Sequence, residues 1–311
     1  MRLLHIGFTI DIHYDIMYIC KELKIKTSFH TFEDGTLGKY NIGKERANNY
    51  FKKHREYFET FDIILVSDIA PICRVFLENN WNKKLLIWIH NRFDYGDGAT
   101  NDCNFPDPDY YELIRKAIKQ KNIEIFGNTY FENYYCKKMR NIEIGDKVIN
   151  NLGILKKKYE LIPQNIIWYT YNNMSILKLD KKMKDLGIPI QYKDFSDINR
   201  YHNIIHIPDN WTNNYLFESL NLGICYFIPT PKFFRKIIKD TGFYWSPPFN
   251  IENLEMSEWY KNDKWFIYFE SWEDLKEKIL NNDYSKFRLF LKKEAEKHKL
   301  KYITEWKKII F

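Results

Sequence analysis

Short β-branched or aromatic runs alternate with stretches of helical period along almost the whole chain, and this alternation restricts the fold more than any other feature. Leu3 to Ile10 reads as a buried strand, and 48–60 (NNYFKKHREYFET) has helical spacing with Tyr50, His54, Tyr57 and Phe58 on one side. FDIILVSD (61–68) is a β-branched run, APICRVFLENN (70–80) a helix and KLLIWIHN (84–91) a second buried run. A helix at 109–120, a strand at 123–128 and a helix at 129–139 complete a first series. A charged, irregular stretch (156–164) follows, and a second series starts with the strand NIIWYTY (165–171). It continues as helix 175–187, strand 188–192, strand 203–208, helix 212–223 stopped by Gly223, strand 224–229 and a helix opened by Pro231. Helical stretches at 271–280 and 284–310 close the chain. Strands alternating with helices in one direction imply βαβ units on parallel sheets. The expected fold class is therefore α/β, with two doubly wound, Rossmann-like parallel-sheet halves and a boundary near 152–163.

The length of 311 residues accommodates two such domains. A composition of 45% hydrophobic and 29% charged residues argues against disorder. The richness in Ile, Asn, Lys, Tyr and Phe matches A/T-rich codons. Net charge is +7, from 48 Lys and Arg against 41 Asp and Glu, and Lys is spread along the chain. This admits a phosphate, nucleic-acid or membrane-surface partner, or simply a solvated surface. The cysteines are five, widely spaced and without a C-x-x-C, which argues against a disulfide scaffold or zinc ribbon and for a reducing, cytoplasmic compartment. The apolar start is too short for a signal peptide and is broken by His5, Asp11 and His13. No run of 18 apolar residues exists, so no transmembrane helix is expected.

Neither G-x-G-x-x-G nor G-x-x-x-x-G-K-[ST] occurs, which weighs against a dehydrogenase or a P-loop ATPase. The most informative stretch is 203–234, NIIHIPDNWTNNYLFESLNLGICYFIPTPKFF: strand, polar loop, helix, Gly stop, buried strand and Pro-opened helix. Thr212 or Asn210 is placed to cap its first helix, whose free N–H groups form an anion site. Glu218 lies beside Leu216, Phe217 and Leu220, where a carboxylate needs a partner. A ribose diol is one such partner; a lysine or open solvent are the alternatives.

This segment resembles the nucleotide-sugar site of GT-B glycosyltransferases, particularly the retaining family-4-like enzymes. Pro208, Glu218, Ser219, Leu220, Gly223 and strand 224–228 fall in step with the second half of their P-S-x-x-E-G-F-G-L-x-x-L-E-A-M-A-x-G-x-P-V-V pattern. Asn210 stands at the first Glu, and Trp211-Thr212-Asn213-Asn214 replaces the glycine-rich turn. The composition resembles giant-virus or AT-rich bacterial members. The resemblance implies a GT-B fold, in which two Rossmann-like domains face an interdomain cleft. It gives an acceptor domain over 1–157, a nucleotide-sugar domain over 158–297, and a terminal helix (298–311) returning to the first domain, anchored by Trp306, Phe311 and Ile309 or Ile310. It further implies that Glu218 holds the ribose, that Thr212, Asn213, Asn214 and Asn210 lie at the diphosphate, and that Tyr171 and Asn172 open onto the cleft. Arg92, Lys193, Lys232 and Arg235 are the local cations. Donor and activity follow: transfer from a nucleoside-diphosphate sugar, a UDP-sugar by family frequency, to a glycan or other hydroxyl acceptor, with no cofactor and no metal.

Loops at the carboxyl ends of parallel strands carry ligand contacts in α/β proteins. His90, Asn91, Arg92 and Asp94 follow one run, Asp68 ends another, and TIDIHYD (9–15) places Asp11 or His13 at the same rim as the first strand's end. KLLIWIHN resembles the V-H-D segment whose His approaches the sugar. An inverting enzyme needs a base for the acceptor proton; Asp11, His13, Asp68 and Asp94 are all eligible. His202 and His206 have zinc-like spacing but lie in or beside a strand run, and Asp107-Pro108-Asp109 reads as a helix start, not a D-x-D metal motif. Two other readings share this fold: a glucosyltransferase acting on DNA bases, and a non-catalytic carbohydrate-binding or scaffold protein with a decayed site.

Overall fold

The computed structural model describes the chain except residues 8–9, 31–42, 69, 91–92, 95–107, 156–161, 170–177, 190–200, 209–211, 213 and 243–250. The chain divides into two compact units, Met1–Asn151 with Lys301–Phe311, and Leu152–Leu300. Both are mixed α/β with a parallel sheet, the Rossmann-like class expected from the sequence.

The first unit carries β1 (Arg2–Ile6), β2 (Lys26–His30), β3 (Ile63–Val66), β4 (Lys84–Ile89) and β5 (Ile123–Gly127), all parallel and ordered β2-β1-β3-β4-β5. Every residue of β3 is buried, as are five of the six in β4. That is why these strands read as continuous apolar runs: a parallel strand covered on both faces has no polar side. Helices Ile10–Glu22, Lys44–Glu59, Pro108–Ala117 and Tyr130–Arg140 provide the cover. Thr129 opens the last of these with a capping box: its hydroxyl accepts from the Phe131 amide at 3.2 Å, and its own amide donates to Glu132 at 2.6 Å. Asp109 lies in the first turn of Pro108–Ala117, as the helix-start reading requires.

The chain's end packs in this unit. Trp306 is fully buried against Trp88 and Phe126, with ring centroids 5.0 and 5.6 Å away, and Tyr302 donates to Asn150 at 2.5 Å. Ile309 and Ile310 are buried too, but Phe311, expected as an anchor, is 67% exposed because it follows the helix end on the opposite face.

The second unit carries β6 (Ile162–Tyr169), β7 (Tyr201–His206), β8 (Cys225–Pro229) and β9 (Phe266–Phe269), parallel and in chain order. Gly223, in the left-handed region at φ +72, ends helix Asn214–Leu222 and turns it into β8. The expected strand 188–192 falls mostly outside the described residues.

Several elements depart from the sequence reading. TIDIHYD is the start of helix Ile10–Glu22, not the end of a strand. β2 and β9 were not expected; β2 (KTSFH) is polar and only part-buried, so it lacks the apolar run that marks the inner strands. The stretch 70–80 forms a 3-10 turn, Ala70–Cys73, and a single α turn, Arg74–Leu77, in place of one helix.

Candidate functional site

In the first unit the strand order reverses between β1 and β3, since the chain steps from β1 outward to β2 and then back to β3. Just beyond the carboxyl ends of two such strands their connections diverge and leave a crevice, the usual ligand position in open α/β sheets. The side chains at that point form one polar cluster. His5, wholly buried in β1, lies with Nδ1 3.1 Å from His13 Nδ1 and Nε2 2.7 Å from Ser67 Oγ. Gly7 follows β1, and a Cβ there would sit 3.0 Å from both Asp68 Oδ2 and Ser67 Oγ and 3.1 Å from His5 Nε2. Glycine is thus what lets the Asp68 carboxylate and the Ser67 hydroxyl close on the strand end. Asp68 itself has φ +64, a left-handed conformation that Asp tolerates better than most residues, at about 1–2 kcal/mol. The Ser67 amide continues the ladder by donating to the Ile6 carbonyl at 3.0 Å, which fixes where Ser67 and Asp68 begin.

His13 stands on the first turns of helix Ile10–Glu22, 7% exposed, and its ring stacks on Phe29 at 4.3 Å. His90 follows β4, where the sequence placed it, with its ring edge-on to Trp88 at 4.0 Å. The residue is part-exposed, but both ring nitrogens are covered and neither has a hydrogen-bond partner. Burial pushes the His90 imidazole down to about 3 and His13 down to about 4. Burial, reinforced by His13 and then His90, holds His5 well below the ordinary histidine range. All three rings are therefore neutral at pH 7, each with one N–H to give and one nitrogen to accept. Two neutral imidazoles, His5 and His13, and a hydroxyl form a continuous chain of potential proton positions, with a carboxylate alongside.

Of the sequence candidates, the structure brings His13 and Asp68 together around His5, with His90 near enough to lower the His5 ring's proton affinity. His5 and Ser67 were not singled out; their signal was a histidine and a serine at strand positions 5 and 67, readable only once β1 and β3 are neighbours. Asp11 is in the first turn of helix Ile10–Glu22, not on the strand. Asp94 is held elsewhere: Arg140 Nε donates to it at 2.5 Å and the Tyr111 hydroxyl at 2.8 Å. These two contacts tie the Asp94 loop position to helices Pro108–Ala117 and Tyr130–Arg140.

In the second unit Glu218 is part-exposed on helix Asn214–Leu222, with Leu216, Phe217, Ser219 and Leu220 buried around it. Its charge reaches Tyr226, which is raised above the usual tyrosine range by burial first and by Glu218 in part. The helix begins at Asn214, two residues later than expected, so Glu218 lies about 6 Å along it rather than about 9 Å. Thr212 precedes the helix and its buried Oγ1 makes no hydrogen bond, so it does not cap through its side chain. The helix is seated by Gly153, at φ +69, whose missing Cβ would fall 2.2 Å from the Phe217 carbonyl carbon and 2.4 Å from the Glu218 nitrogen. Asn221 Nδ2 clamps the same contact by donating to the Leu152, Gly153 and Phe217 carbonyls at 2.9, 2.8 and 3.0 Å.

Asn91, Arg92, Tyr171, Asn172, Lys193, Asn210 and Asn213 lie outside the described residues, and of Asn214 only the backbone is described. Arg235 pairs with Glu255 at 2.5 Å, while Lys232 is exposed. His202 and His206 both stand on β7, about 13 Å apart at strand spacing, too far to share a metal. Among the described residues no group of three or more His, Cys, Asp or Glu is arranged to hold a metal ion, and no helix is long and apolar enough to cross a membrane.

No family model matches the sequence, and no curated protein matches it either. Among solved structures the chain is similar to UDP-GlcNAc 2-epimerase from Neisseria meningitidis bound to UDP-GlcNAc, at 11% identity over 95% of this chain and 94% of that one, with a TM-score of 0.46. It is similar to Arabidopsis thaliana UGT89C1 complexed with UDP, at 9% identity over 96% and 94%, TM-score 0.45. It is also similar to MurG from Acinetobacter baumannii, at 10% identity over 96% and 94%, TM-score 0.41.

Proposed function

We propose that the chain is a glycosyltransferase that moves a sugar from a nucleoside-diphosphate donor, a UDP-sugar, to a hydroxyl acceptor without a metal, in a cytoplasmic setting. The observation that carries the reading is the order β7, helix Asn214–Leu222, Gly223, β8, with Glu218 about one turn into the helix. In this reading the positive end of the helix receives the diphosphate, and the Glu218 carboxylate accepts hydrogen bonds from the ribose. The buried cluster at the β1/β3 reversal serves the acceptor. With Ser67 Oγ accepting from His5 Nε2–H, and His5 Nδ1 accepting from His13 Nδ1–H, the second nitrogen of His13 is left as a proton acceptor. The acceptor hydroxyl gives its proton to that nitrogen as its oxygen bonds the anomeric carbon and the sugar–diphosphate bond breaks. A base so placed contributes about 10²–10⁴-fold. His90 contacts sugar or acceptor rather than the nucleotide.

The experiment is a thermal-shift panel of UDP, GDP, dTDP, ADP and CMP, with and without EDTA. The expected result is stabilisation by one nucleoside diphosphate that survives EDTA. No shift with any of them sinks the reading in favour of a non-catalytic protein, and a shift abolished by EDTA sinks metal independence. Glu218→Ala should weaken binding of that nucleotide about 10- to 150-fold, from charge-assisted bonds of about 1.5–3 kcal/mol each. A 2′,3′-dideoxy nucleotide should bind the wild type more weakly and lose nothing further in the variant. Equal binding of both nucleotides by the wild type removes the ribose role. His13→Gln and His90→Ala should each lower turnover and leave nucleotide affinity nearly unchanged; turnover equal to wild type in a folded variant excludes that residue.

A further inference from the structure

Lys and Arg are spread along the chain, but their excess over Asp and Glu falls mostly in its last helix. Residues 285–311 hold nine Lys and Arg against three Glu, a net of +6, when the whole chain is +7. Those three carboxylates are already occupied: Glu294 by Lys297 and Lys264 at 2.7 and 2.9 Å, Glu296 by Lys299 at 2.5 Å, and Glu305 by Lys308 at 2.7 Å. Lys286, Lys292 and Lys293 remain exposed on helix Ser285–Ile310. This helix buries Leu291, Ala295 and His298 on its inner side. On its outer side Leu289 is 62% and Leu300 67% exposed. At 100° per residue Leu289, Lys293 and Leu300 fall within roughly 40° of one another, with Lys286 at the edge of the same stripe.

We propose that this outer face docks on an anionic lipid surface, with the lysines at headgroup phosphates and Leu289 and Leu300 at the headgroup–acyl boundary. A helix with lysines flanking exposed apolar side chains, on a face roughly 24 Å long over residues 285–300, fits a flat interface that is charged outside and apolar within. A nucleic-acid backbone would use the lysines and gain nothing from the leucines. The proposal stands on this helix alone and is independent of the sugar-transfer reading.

The test is co-sedimentation of the full chain with vesicles of equimolar phosphatidylcholine and phosphatidylserine, and with phosphatidylcholine alone. The wild type should bind the first and not the second, and raised salt should release it. The triple variant Lys286→Gln, Lys292→Gln, Lys293→Gln should bind about a hundredfold more weakly, at about fivefold per lysine. Leu289→Ser with Leu300→Ser should weaken binding about tenfold or more while keeping the dependence on phosphatidylserine. These exposed substitutions should leave the melting temperature unchanged, which separates lost docking from lost folding. No binding to either vesicle, equal binding to both, or vesicle affinity unaffected by the leucine changes would overturn the proposal. So would tighter binding to a duplex oligonucleotide than to vesicles, unchanged in the leucine variant, which would assign the face to nucleic acid.

Discussion

At the scale of single residues, the buried histidines make a prediction whose sign follows from burial. His5, His13 and His90 all take up protons less readily in the fold than in the open chain, where the ordinary value is 6.5. The unfolded chain therefore binds more protons, and stability rises with pH across the window between the two values. Their contribution is complete above about pH 6.5 and is lost as pH falls towards about 4, where His13 begins to protonate within the fold. The first unit should lose on the order of 1–3 kcal/mol over that range, discounted for the partial solvation of His13. Urea titrations at intervals from pH 7 to pH 4 would measure it, and His90→Gln should flatten the slope. A slope identical in wild type and variant would show that His90 does not contribute. Legibility at this scale followed position in the strand. His90 and Asp68 stand after apolar runs and were readable as strand ends. His5 stands within a run, where it reads as an interruption; its role depends on Ser67, 62 positions away in sequence and 2.7 Å away in space. The contacts of Asp94 were hidden for a related reason: Arg140 and Tyr111, which bond to it, come from helices that sequence alone does not bring to it.

At the scale of elements, the inner strands were legible because burial on both faces writes an unbroken apolar run, as in IILV of β3 and CYFIP of β8. Edge strand β2 was illegible because KTSFH is part-buried and mostly polar. Helix Ile10–Glu22 was hidden by β-branched residues in its first turn, although its buried Ile12, Ile16, Ile19 and Cys20 keep a helical period. The capping box of Thr129 and Glu132 fixes the start of helix Tyr130–Arg140, which the sequence showed only as a helical stretch over 129–139. What sequence could not display is the seat of helix Asn214–Leu222, because the glycine that makes it lies over sixty residues upstream. Gly153→Ala would meet backbone atoms of Phe217 and Glu218 at 2.2–2.5 Å and would also occupy a left-handed conformation. Backbone cannot rotate aside as a side chain can, so the substitution should destabilise the second unit by about 2 kcal/mol or more. It should also weaken nucleotide binding, since the helix carrying Glu218 must shift. Asn221→Ala, which removes the clamp and leaves the backbone free, should act in the same direction at roughly 1–3 kcal/mol. Unfolding curves of Gly153→Ala coincident with wild type would disprove the close approach.

At the scale of the whole molecule, the two α/β halves were legible from alternation alone, but the membership of the chain's last residues depended on which face of one helix is apolar. Trp306 was identified by its spacing among lysines, and it is fully buried in the first unit between Trp88 and Phe126. Phe311 was identified by the same apolar character and is exposed beyond the helix end, which shows the limit of composition: position decides, and residue type does not. Trp88, on β4, is itself held by donating its indole N–H to the Ile149 carbonyl at 2.9 Å. Residues 301–311 are therefore part of the core of a unit whose other residues end at Asn151. Trp306→Ala would leave a cavity lined by two aromatic rings and should cost about 3–5 kcal/mol, a large share of the roughly 5–15 kcal/mol that holds a domain together. Phe311→Ala, removing a ring already in water, should change stability by less than about 0.5 kcal/mol. Calorimetry of the two variants separates the readings. If the last residues are core to the first unit, Trp306→Ala lowers that unit's transition and leaves the transition of Leu152–Leu300 closer to its wild-type temperature. Equal small effects from both substitutions would mean that the helix end rests on the unit without contributing to its stability.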